Sequence, residues 1–327
     1  MVAFEPQTWR PAAAPALDGA LRANSRLAQA RLVPVGAEGP EDVVVDAEGV
    51  AFTGTADGRL LAIDRQGHIT TVARPGGRPL GLEWYGDDLV LCNTALGLQL
   101  VSRSGKVKTL ADAFEGTRFR FTNNASVATD GTIYFSDTSQ RWGIEQYVSD
   151  LLEGQDTGRV FARAPSGGLT KVTDGLQFAN GVALDATEAS LFVAETGRYR
   201  VHRVYLKGER AGQTEVFAEN LPGFPDNLTF GGGILWVSLA SPRQNIVDLM
   251  HPRPWLRHVS HRLPEALKPK PLRHGIVLGY DAASGDLVHN LQDTSGRVAI
   301  TTSARYHEGH LYIGSLSEPH LAVYPLD

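Results

Sequence analysis

Short apolar runs separated by glycine-containing turns recur along the whole chain. One unit starts with an apolar run at 41–45, turns at 46–49, and continues with strand-like runs at 50–54, 59–64 and 68–73. Runs of this length joined by tight turns are typical of antiparallel strands. Four such strands make one small sheet, so the pattern predicts one blade of a β-propeller.

The same order of strands and turns returns five more times. Two of the intervals between units are long and hold insertions, one with helical apolar spacing at 142–152 and one rich in proline and basic residues at 242–274. We therefore predict an all-β fold, a six-bladed β-propeller over 36–327 with short helical or irregular insertions over one rim. Residues 1–35 do not fit a whole blade, and a strand at 30–33 could close the ring by joining the last sheet.

Polar residues recur at the equivalent position in several units. Alignment of the turns places six residues in these positions: Glu41, Leu80, Asn123, Asn180, Asp226 and Thr301. The first strand of every blade lines the central channel of a propeller, so these side chains are expected to converge. Buried carboxylates need a partner, and an all-oxygen set of Asp, Glu and Asn suits a hard divalent cation.

The pattern predicts one divalent metal held by Glu41, Asn123, Asn180 and Asp226. Calcium is favoured, and magnesium, manganese and ferrous iron also accept oxygen ligands. Each residue taken alone also fits a turn or strand start, as Asn180 does before Gly181. The shared position of four such residues in four units is what favours the metal site.

Composition limits the possible partners. The chain has 327 residues, of which 42% are hydrophobic and 20% charged, with a formal net charge of −5. This balance gives no general attraction for nucleic acid. No stretch has the pattern of a signal peptide or transmembrane segment, so a cytoplasmic protein is expected, and its oligomeric state stays open. The single cysteine, Cys92, lies in an apolar run and is expected to be a buried hydrophobic residue.

Two further patterns have ordinary explanations as well as functional ones. His307 and His310 flank a predicted hairpin turn, which favours a surface turn over a zinc site. The insertion runs from His251 to His274. Between these ends it carries eight Lys, Arg and His residues and one acidic residue, Glu265. A solvated loop explains this composition, with capture of an anionic substrate or contact with a membrane surface as the alternative.

Several collinear stretches resemble the strictosidine synthase-like proteins, including the adipocyte plasma membrane-associated type, within the gluconolactonase–paraoxonase superfamily. These stretches are YFSDTS at 134–139, LEGQDTGR at 152–159, FANGV at 178–182, VAET at 193–196 and LPGFPDN at 221–227. The resemblance extends over nearly everything after about residue 25. It implies a six-bladed propeller with a metal in the channel.

The resemblance also implies roles for individual residues. Glu41, Asn123, Asn180 and Asp226 match the metal ligands of the superfamily, and Asn227 matches an added ligand of the paraoxonase type. The catalytic glutamate of the plant synthase falls near Thr301, which argues against an amine–aldehyde condensation. Where relatives often have Asn-Asp this chain has Asn-Asn at 123–124, which argues against a second, structural calcium beside Asp42.

The leading hypothesis is metal-dependent hydrolysis of a small-molecule lactone or related ester. Asp226 is the candidate general base and Glu41 serves mainly as a ligand, so both are assigned to catalysis. The candidate substrate contacts are Thr301, Ser303 and His274. The alternative is a non-catalytic binding propeller with a structural metal, and a strictosidine synthase-like lyase ranks last.

Overall fold

The computed structural model describes residues 3–264 and 267–326. In the first half of the chain the strands are β1 (Arg31–Pro34), β2 (Val43–Val45), β3 (Ala51–Gly54), β4 (Leu60–Ile63), β5 (Ile69–Ala73), β6 (Pro79–Tyr85), β7 (Asp88–Asn93), β8 (Gly97–Val101), β9 (Val107–Ala111), β10 (Ala113–Phe114), β11 (Thr117–Arg118), β12 (Thr122–Val127), β13 (Ile133–Asp137) and β14 (Gly158–Arg163). In the second half they are β15 (Leu169–Leu176), β16 (Ala179–Leu184), β17 (Ser190–Glu195), β18 (Arg200–Tyr205), β19 (Thr214–Ala218), β20 (Gly223–Gly231), β21 (Ile234–Pro242), β22 (Gly275–Asp281), β23 (Leu287–Asp293), β24 (Thr301–His307), β25 (His310–Ser315) and β26 (His320–Pro325).

Each blade is a four-stranded antiparallel sheet. The first five blades are β2–β5, β6–β9, β12–β15, β16–β19 and β20–β23, and the sixth contains β24–β26 together with β1. Strands β10 and β11 form a separate two-stranded hairpin. The six-bladed all-β propeller predicted from the repeats is therefore confirmed.

The tight turns between strands are stabilised by aspartate side chains. Asp46 Oδ1 accepts hydrogen bonds from the N–H groups of Glu48 and Val50, at 3.1 and 2.8 Å. Gly49 in the same turn has φ of +78°, a conformation that costs a glycine little. Local hydrogen bonding of this kind explains why the turn residues mark the repeat so clearly in the sequence.

Alternate residues along a strand pack against different neighbouring blades. In β17, Leu191 and Val193 belong to a cluster with Val160 of the third blade. Phe192, from the opposite face of β17, packs in a cluster with Leu235 of the fifth blade. Both faces of a blade are therefore buried, and the hydrophobic core consists of the layers between blades.

The ring is closed between β1 and β26. These strands are antiparallel, with Arg31 opposite Val323 and Pro34 opposite His320. Strand β1 thereby becomes the outer strand of the sixth blade, and the edge of β26 is covered.

Short helices form the two insertions over one rim. The α-helices are α1 (Tyr147–Glu153), α2 (Asn245–Met250) and α3 (Pro254–Arg262), and short 3-10 helices lie at Gly19–Leu21, Arg26–Gln29, Ile144–Gln146 and Thr196–Arg198. The N-terminal segment runs alongside the rim helices: the Gln7 N–H donates to Glu153 O at 2.8 Å, and Gln7 O accepts from Arg257 Nη2 at 2.5 Å.

Candidate metal centre

A β-bulge lies near the start of five of the six inner strands. The pairing register shifts between residues 79 and 82, 122 and 125, 179 and 182, 225 and 228, and 301 and 304. Two residues of each inner strand therefore lie inside the bulge, where ladder pairing is interrupted. In β2 the corresponding positions, two and one before Val43, are Glu41 and Asp42.

This register corrects one predicted position. Thr301 pairs with Ser315, as Thr122 pairs with Asp137, so the residue equivalent to Asn123 in the last blade is Thr302. Thr302 donates a hydrogen bond through Oγ1 to Glu41 O at 2.5 Å. The last blade therefore contributes a side chain that holds the Glu41 backbone.

Four predicted metal ligands line one cavity at the inner ends of their blades. Glu41, Asn123, Asn180 and Asp226 come from the first, third, fourth and fifth blades, and Leu80 of the second blade lies beside them. All four polar residues are at least nine-tenths buried. The fold thus brings together side chains that are widely separated in sequence.

Amide nitrogens of the site already have protein acceptors. Asn180 Nδ2 donates to Asp226 Oδ1 at 2.7 Å, Asn227 Nδ2 donates to Glu41 Oε1 at 2.9 Å, and Asn123 Nδ2 donates to the hydroxyl of Thr138 at 2.9 Å. Each amide nitrogen is therefore already used, and only the amide oxygen of each group is left for a further partner.

Four buried oxygens of the same residues have no hydrogen-bond donor among the described residues. They are Glu41 Oε2, Asn123 Oδ1, Asn180 Oδ1 and Asn227 Oδ1. An unpaired buried acceptor is costly, and several together are rare in native proteins. An all-oxygen set without donors fits a hard divalent cation.

The raised pKa values of the Glu41 and Asp226 carboxyl groups also favour a bound cation. Burial, and then the nearby Asp226 and Asp42, raise the pKa of Glu41 well above its usual value. Burial likewise raises the pKa of Asp226 to about 7. Each carboxylate is thus destabilised as an anion by the protein alone, and a bound cation would compensate for that cost. The described residues contain no cluster of three or more His, Cys, Asp and Glu side chains suited to a metal, so carboxamide oxygens must complete this set.

Asp42 and Asn124, which follow the ligand candidates Glu41 and Asn123, connect blades and do not line the cavity. Asp42 Oδ1 accepts from the Val43 N–H at 2.8 Å, while Oδ2 accepts from the Leu82 N–H at 2.9 Å and from Asn124 Nδ2 at 3.4 Å. Asn124 Oδ1 in turn accepts from the Val182 N–H at 2.9 Å. Asp42 and Asn124 therefore form a hydrogen-bonded link across four blades.

Gly181 permits the close approach of the fourth and fifth blades. A Cβ atom at this position would lie 2.2 Å from Leu228 N and 2.6 Å from Asn227 Cα. Only glycine fits without moving the neighbouring strand, which carries Asp226. The Asn-Gly pair at 180–181 is thus part of the site and not a hairpin turn.

Apolar side chains form most of the remaining cavity wall. The cavity has a volume of about 140 Å³, and its apolar lining includes Leu80, Phe121, Tyr147, Phe178, Phe224 and Ile300 from the blades and α1, and Val247 and Met250 from α2. The four ligand candidates lie at the inner ends of their blades, and Thr196, Ser241, Gln244, His251 and Lys270 add further polar groups to the lining. A ligand in this cavity would meet oxygens at one end and hydrocarbon along its sides.

The three predicted substrate contacts are not among the residues that line this cavity. Thr301 Oγ1 is used in hydrogen bonds with Leu239 O and Ile276 O. Ser303 is fully buried behind the wall, and His274 Nε2 is 2.9 Å from Gln292 Oε1.

A different histidine of the insertion lines the cavity. His251 is buried, with its Nε2 3.3 Å from the hydroxyl of Tyr199, which donates to Asp248 Oδ1 at 3.0 Å. Burial and the neighbouring arginines lower the pKa of His251 to about 3, so the imidazole is neutral. No repeat position marks this residue in the sequence, because it lies in an insertion present once.

Cys92 and the histidine pair lie outside the cavity lining. Cys92 is fully buried in an apolar cluster between the second and third blades. His307 and His310 face each other across the hairpin of β24 and β25. Glu265 of the basic insertion lies outside the described residues.

Comparisons with known proteins relate the chain to one family and one fold. A strictosidine synthase family model matches residues 123–209, and a model of the N-terminal region of strictosidine synthase-like proteins matches 19–63. The adipocyte plasma membrane-associated protein of Bos taurus is 36% identical, over 93% of this chain and 80% of its own length.

No helix among the described residues is both long enough and apolar enough to cross a membrane.

Solved structures share the propeller at lower identity. A gluconolactonase of Xanthomonas campestris has a TM-score of 0.68 at 19% identity, covering 93% of this chain and 92% of its own. Regucalcin of Agrobacterium tumefaciens, described as a calcium-binding protein, has a TM-score of 0.64 at 16% identity, covering 91% and 93%. At these identities the likeness establishes the fold.

Proposed function

The chain belongs to the strictosidine synthase-like family that includes the adipocyte plasma membrane-associated proteins, and from this premise we propose that it is a metal-dependent hydrolase of a lactone or related ester. The observation that carries the proposal is a group of buried oxygens without donors, Glu41 Oε2, Asn123 Oδ1 and Asn180 Oδ1, on residues that line a largely apolar cavity. The gluconolactonase among the structural neighbours supports the reaction class by analogy.

Glu41, Asn123, Asn180 and Asp226 would hold the metal. Asn227, predicted as an added ligand, does not line the cavity and would hold the Glu41 carboxylate through its hydrogen bond. A bound divalent cation would act as a Lewis acid on the substrate carbonyl and stabilise negative charge on its oxygen. Calcium suits the all-oxygen set best, and the calcium-binding neighbour supports this choice.

In this proposal Asp226 would move the proton. Its Oδ1 accepts from Asn180, so the other oxygen, Oδ2, can take a proton from an attacking water molecule. The water oxygen forms the new bond to the carbonyl carbon, the ring or ester C–O bond breaks, and the proton passes to the leaving alkoxide. Glu41, held by Asn227, serves as a ligand throughout.

The walls favour a substrate with an apolar substituent. Phe121, Phe178 and Phe224 present aromatic surface to the cavity, where a polyhydroxylated sugar lactone would leave hydroxyl groups without partners. A lactone or ester with an alkyl or aryl group would instead bury that group against the walls. The proposed substrate class is therefore hydrophobic lactones and esters.

The test is turnover of an alkyl-substituted lactone by the purified protein, followed by titration of the acid released. Activity should disappear when a chelator removes the metal, as verified by elemental analysis, and should return with added calcium. An aldonolactone is the matched control and should be a poor substrate. Full activity in protein shown to be free of metal would overturn the proposal.

The second candidate is a non-catalytic binding propeller in which the metal is structural. The blade-to-blade link through Asp42 and Asn124 favours it, because the neighbouring bulge residues demonstrably serve to join blades. A lyase reaction of the strictosidine synthase type receives no support from residues 301–303, since Thr-Thr-Ser supplies no carboxyl group.

A further inference from the structure

The segment from α2 to the start of β22 carries a concentration of exposed apolar side chains. Ten large apolar side chains are exposed among the described residues, and six of them lie in this segment: Ile246, Leu249, Trp255, Val259, Leu267 and Leu272. We call these six the rim patch. Trp255 is 64% exposed, although an indole is normally buried or held at an interface. Apolar clusters of this kind mark interaction sites.

The rim patch does not reflect loose packing of α3. On the inner face of that helix, Arg257 is fully buried and donates from Nη1 to Leu152 O at 3.0 Å and from Nη2 to Gln7 O at 2.5 Å. Phe4 stacks on His261 with ring centroids 4.0 Å apart. The helix is thus fixed on its inner side, while Trp255 and Val259, four residues apart, project together from its outer side.

The charged groups exposed around the rim patch are basic. Arg253, Arg262 and Lys270 are exposed, and Arg273 is exposed but paired with Glu318 at 2.5 Å. Asp248 is half-buried and paired with Arg243 at 2.7 Å. In the described part of 245–273 no carboxylate is exposed. The whole chain has a net charge of −5, so this local excess of positive charge is specific to the segment.

We propose that the rim patch and its basic border dock on an anionic phospholipid surface. Apolar side chains with an interfacial tryptophan would enter the headgroup region, and the flanking arginines would attract the negative lipids. Charge complementarity selects this occupant over a neutral apolar partner. Docking is separate from catalysis and holds whether or not the chain is a hydrolase.

The position of the segment connects docking with the cavity. Val247, Met250 and Lys270 line the cavity, while their neighbours Ile246 and Leu249 belong to the rim patch. One side of the segment therefore forms the cavity wall and the other side would contact lipid. If the proposed function holds, hydrophobic substrates dissolved in the lipid would reach the cavity from this side.

The test is flotation of the full chain with vesicles of phosphatidylcholine alone and of phosphatidylcholine containing phosphatidylserine. We expect binding to the anionic vesicles only, reduced by salt. The double variant R253Q/R262Q should bind about tenfold more weakly, and W255S/V259S should lose binding by a similar factor. The matched controls, K106Q/K108Q at the start of β9 and V288S on β23, should bind as the parent does, with circular dichroism verifying the fold of each variant.

Three results would overturn the proposal. They are no binding to either vesicle, equal binding by the parent and both rim variants, and binding to neutral vesicles as tight as to anionic ones. A concentration-dependent dimer that W255S/V259S abolishes, in a chain that does not float with lipid, would assign the rim patch to a second copy instead. Failure of lactone hydrolysis alone leaves the vesicle result intact, so the two proposals fail separately.

Discussion

Glu41, just before β2, and Glu195, at the end of β17, are both almost completely buried. They differ in how many hydrogen-bond donors surround the carboxylate. Glu195, at the end of β17, accepts hydrogen bonds from the Gln177 N–H at 2.9 Å, Arg200 Nε at 2.5 Å and His202 Nε2 at 2.7 Å. Glu41 accepts one from Asn227, and its Oε2 has no donor among the described residues.

The pKa values follow the donors. Burial raises the pKa of Glu195, but the bonds from His202, Arg200 and Gln177 outweigh it, and the pKa lies below the usual value. The pKa of Glu41 lies well above it. The fold supplies hydrogen-bond donors to the structural carboxylate Glu195. The channel carboxylate Glu41 lacks such donors, and a bound cation would compensate for them.

Asp226→Asn should produce the largest change. The asparagine keeps the size of the side chain but loses both the negative charge and the proton acceptor, so kcat for an alkyl lactone should fall by about 10²- to 10⁴-fold. Thermal unfolding of the metal-free protein should show no loss of stability. Loss of folding, with no turnover by the parent across a broad panel of lactones and esters, would instead favour the structural role of the metal.

Glu195→Gln and Glu41→Gln form a matched pair for stability. Glu195→Gln leaves the Arg200 guanidinium, whose side chain is 31% exposed, without its anion, which should lower the free energy of unfolding by about 1–3 kcal/mol. Glu41→Gln should leave the stability of the metal-free protein unchanged or higher and weaken calcium binding. Chemical denaturation with and without chelator measures both effects. Equal destabilisation by the two substitutions in metal-free protein would contradict the comparison.

Asp150 extends the comparison to a carboxyl group away from the channel ring. It is buried in α1, and burial raises its pKa from 3.8 to about 7. Below pH about 4 the carboxyl is protonated in both states; between there and pH 7 only the unfolded chain ionises, so the parent loses stability as the pH rises.

Asp150→Asn should remove this loss and stabilise the protein at pH 8 by on the order of 2 kcal/mol, since relaxation absorbs part of the shift. Denaturation midpoints at pH 4 and pH 8 measure the effect, which should vanish at the lower pH. A variant that is less stable than the parent at pH 8 would show that the Asp150 charge is compensated in the fold.

The ring of polar residues was predictable because turn chemistry encodes the position of each inner strand. Asp46 and the equivalent turn residues mark where each inner strand ends, and counting back from these turns placed Glu41, Asn123, Asn180 and Asp226 in equivalent positions. In the last blade the predicted position was wrong by one residue, because Thr302 and not Thr301 is equivalent to Asn123. A β-bulge adds a residue that no turn signal reveals, and 301–303 offer no distinct side chain to set the register.

The cavity wall was not predictable in the same way. His274 and His251 both lie in the basic insertion, and which of them reaches the cavity depends on how α2 and α3 pack on the N-terminal segment. That packing uses single long-range contacts, such as Trp9 against His251 with centroids 4.9 Å apart. Because this insertion occurs only once, it cannot be aligned with other repeats, and its sequence alone does not show which side chains face the cavity.

The pairing of β1 with β26 has a consequence for how this protein is made. Because the outer strand of the sixth blade is supplied by residues near the start of the chain, that blade cannot be completed until the last strand has left the ribosome. Strand β1 therefore stays without its partner strand through nearly the whole of synthesis. Final closure is thus a long-range and late event, which predicts slow folding and a period of exposure to aggregation that ends only when the last strand docks.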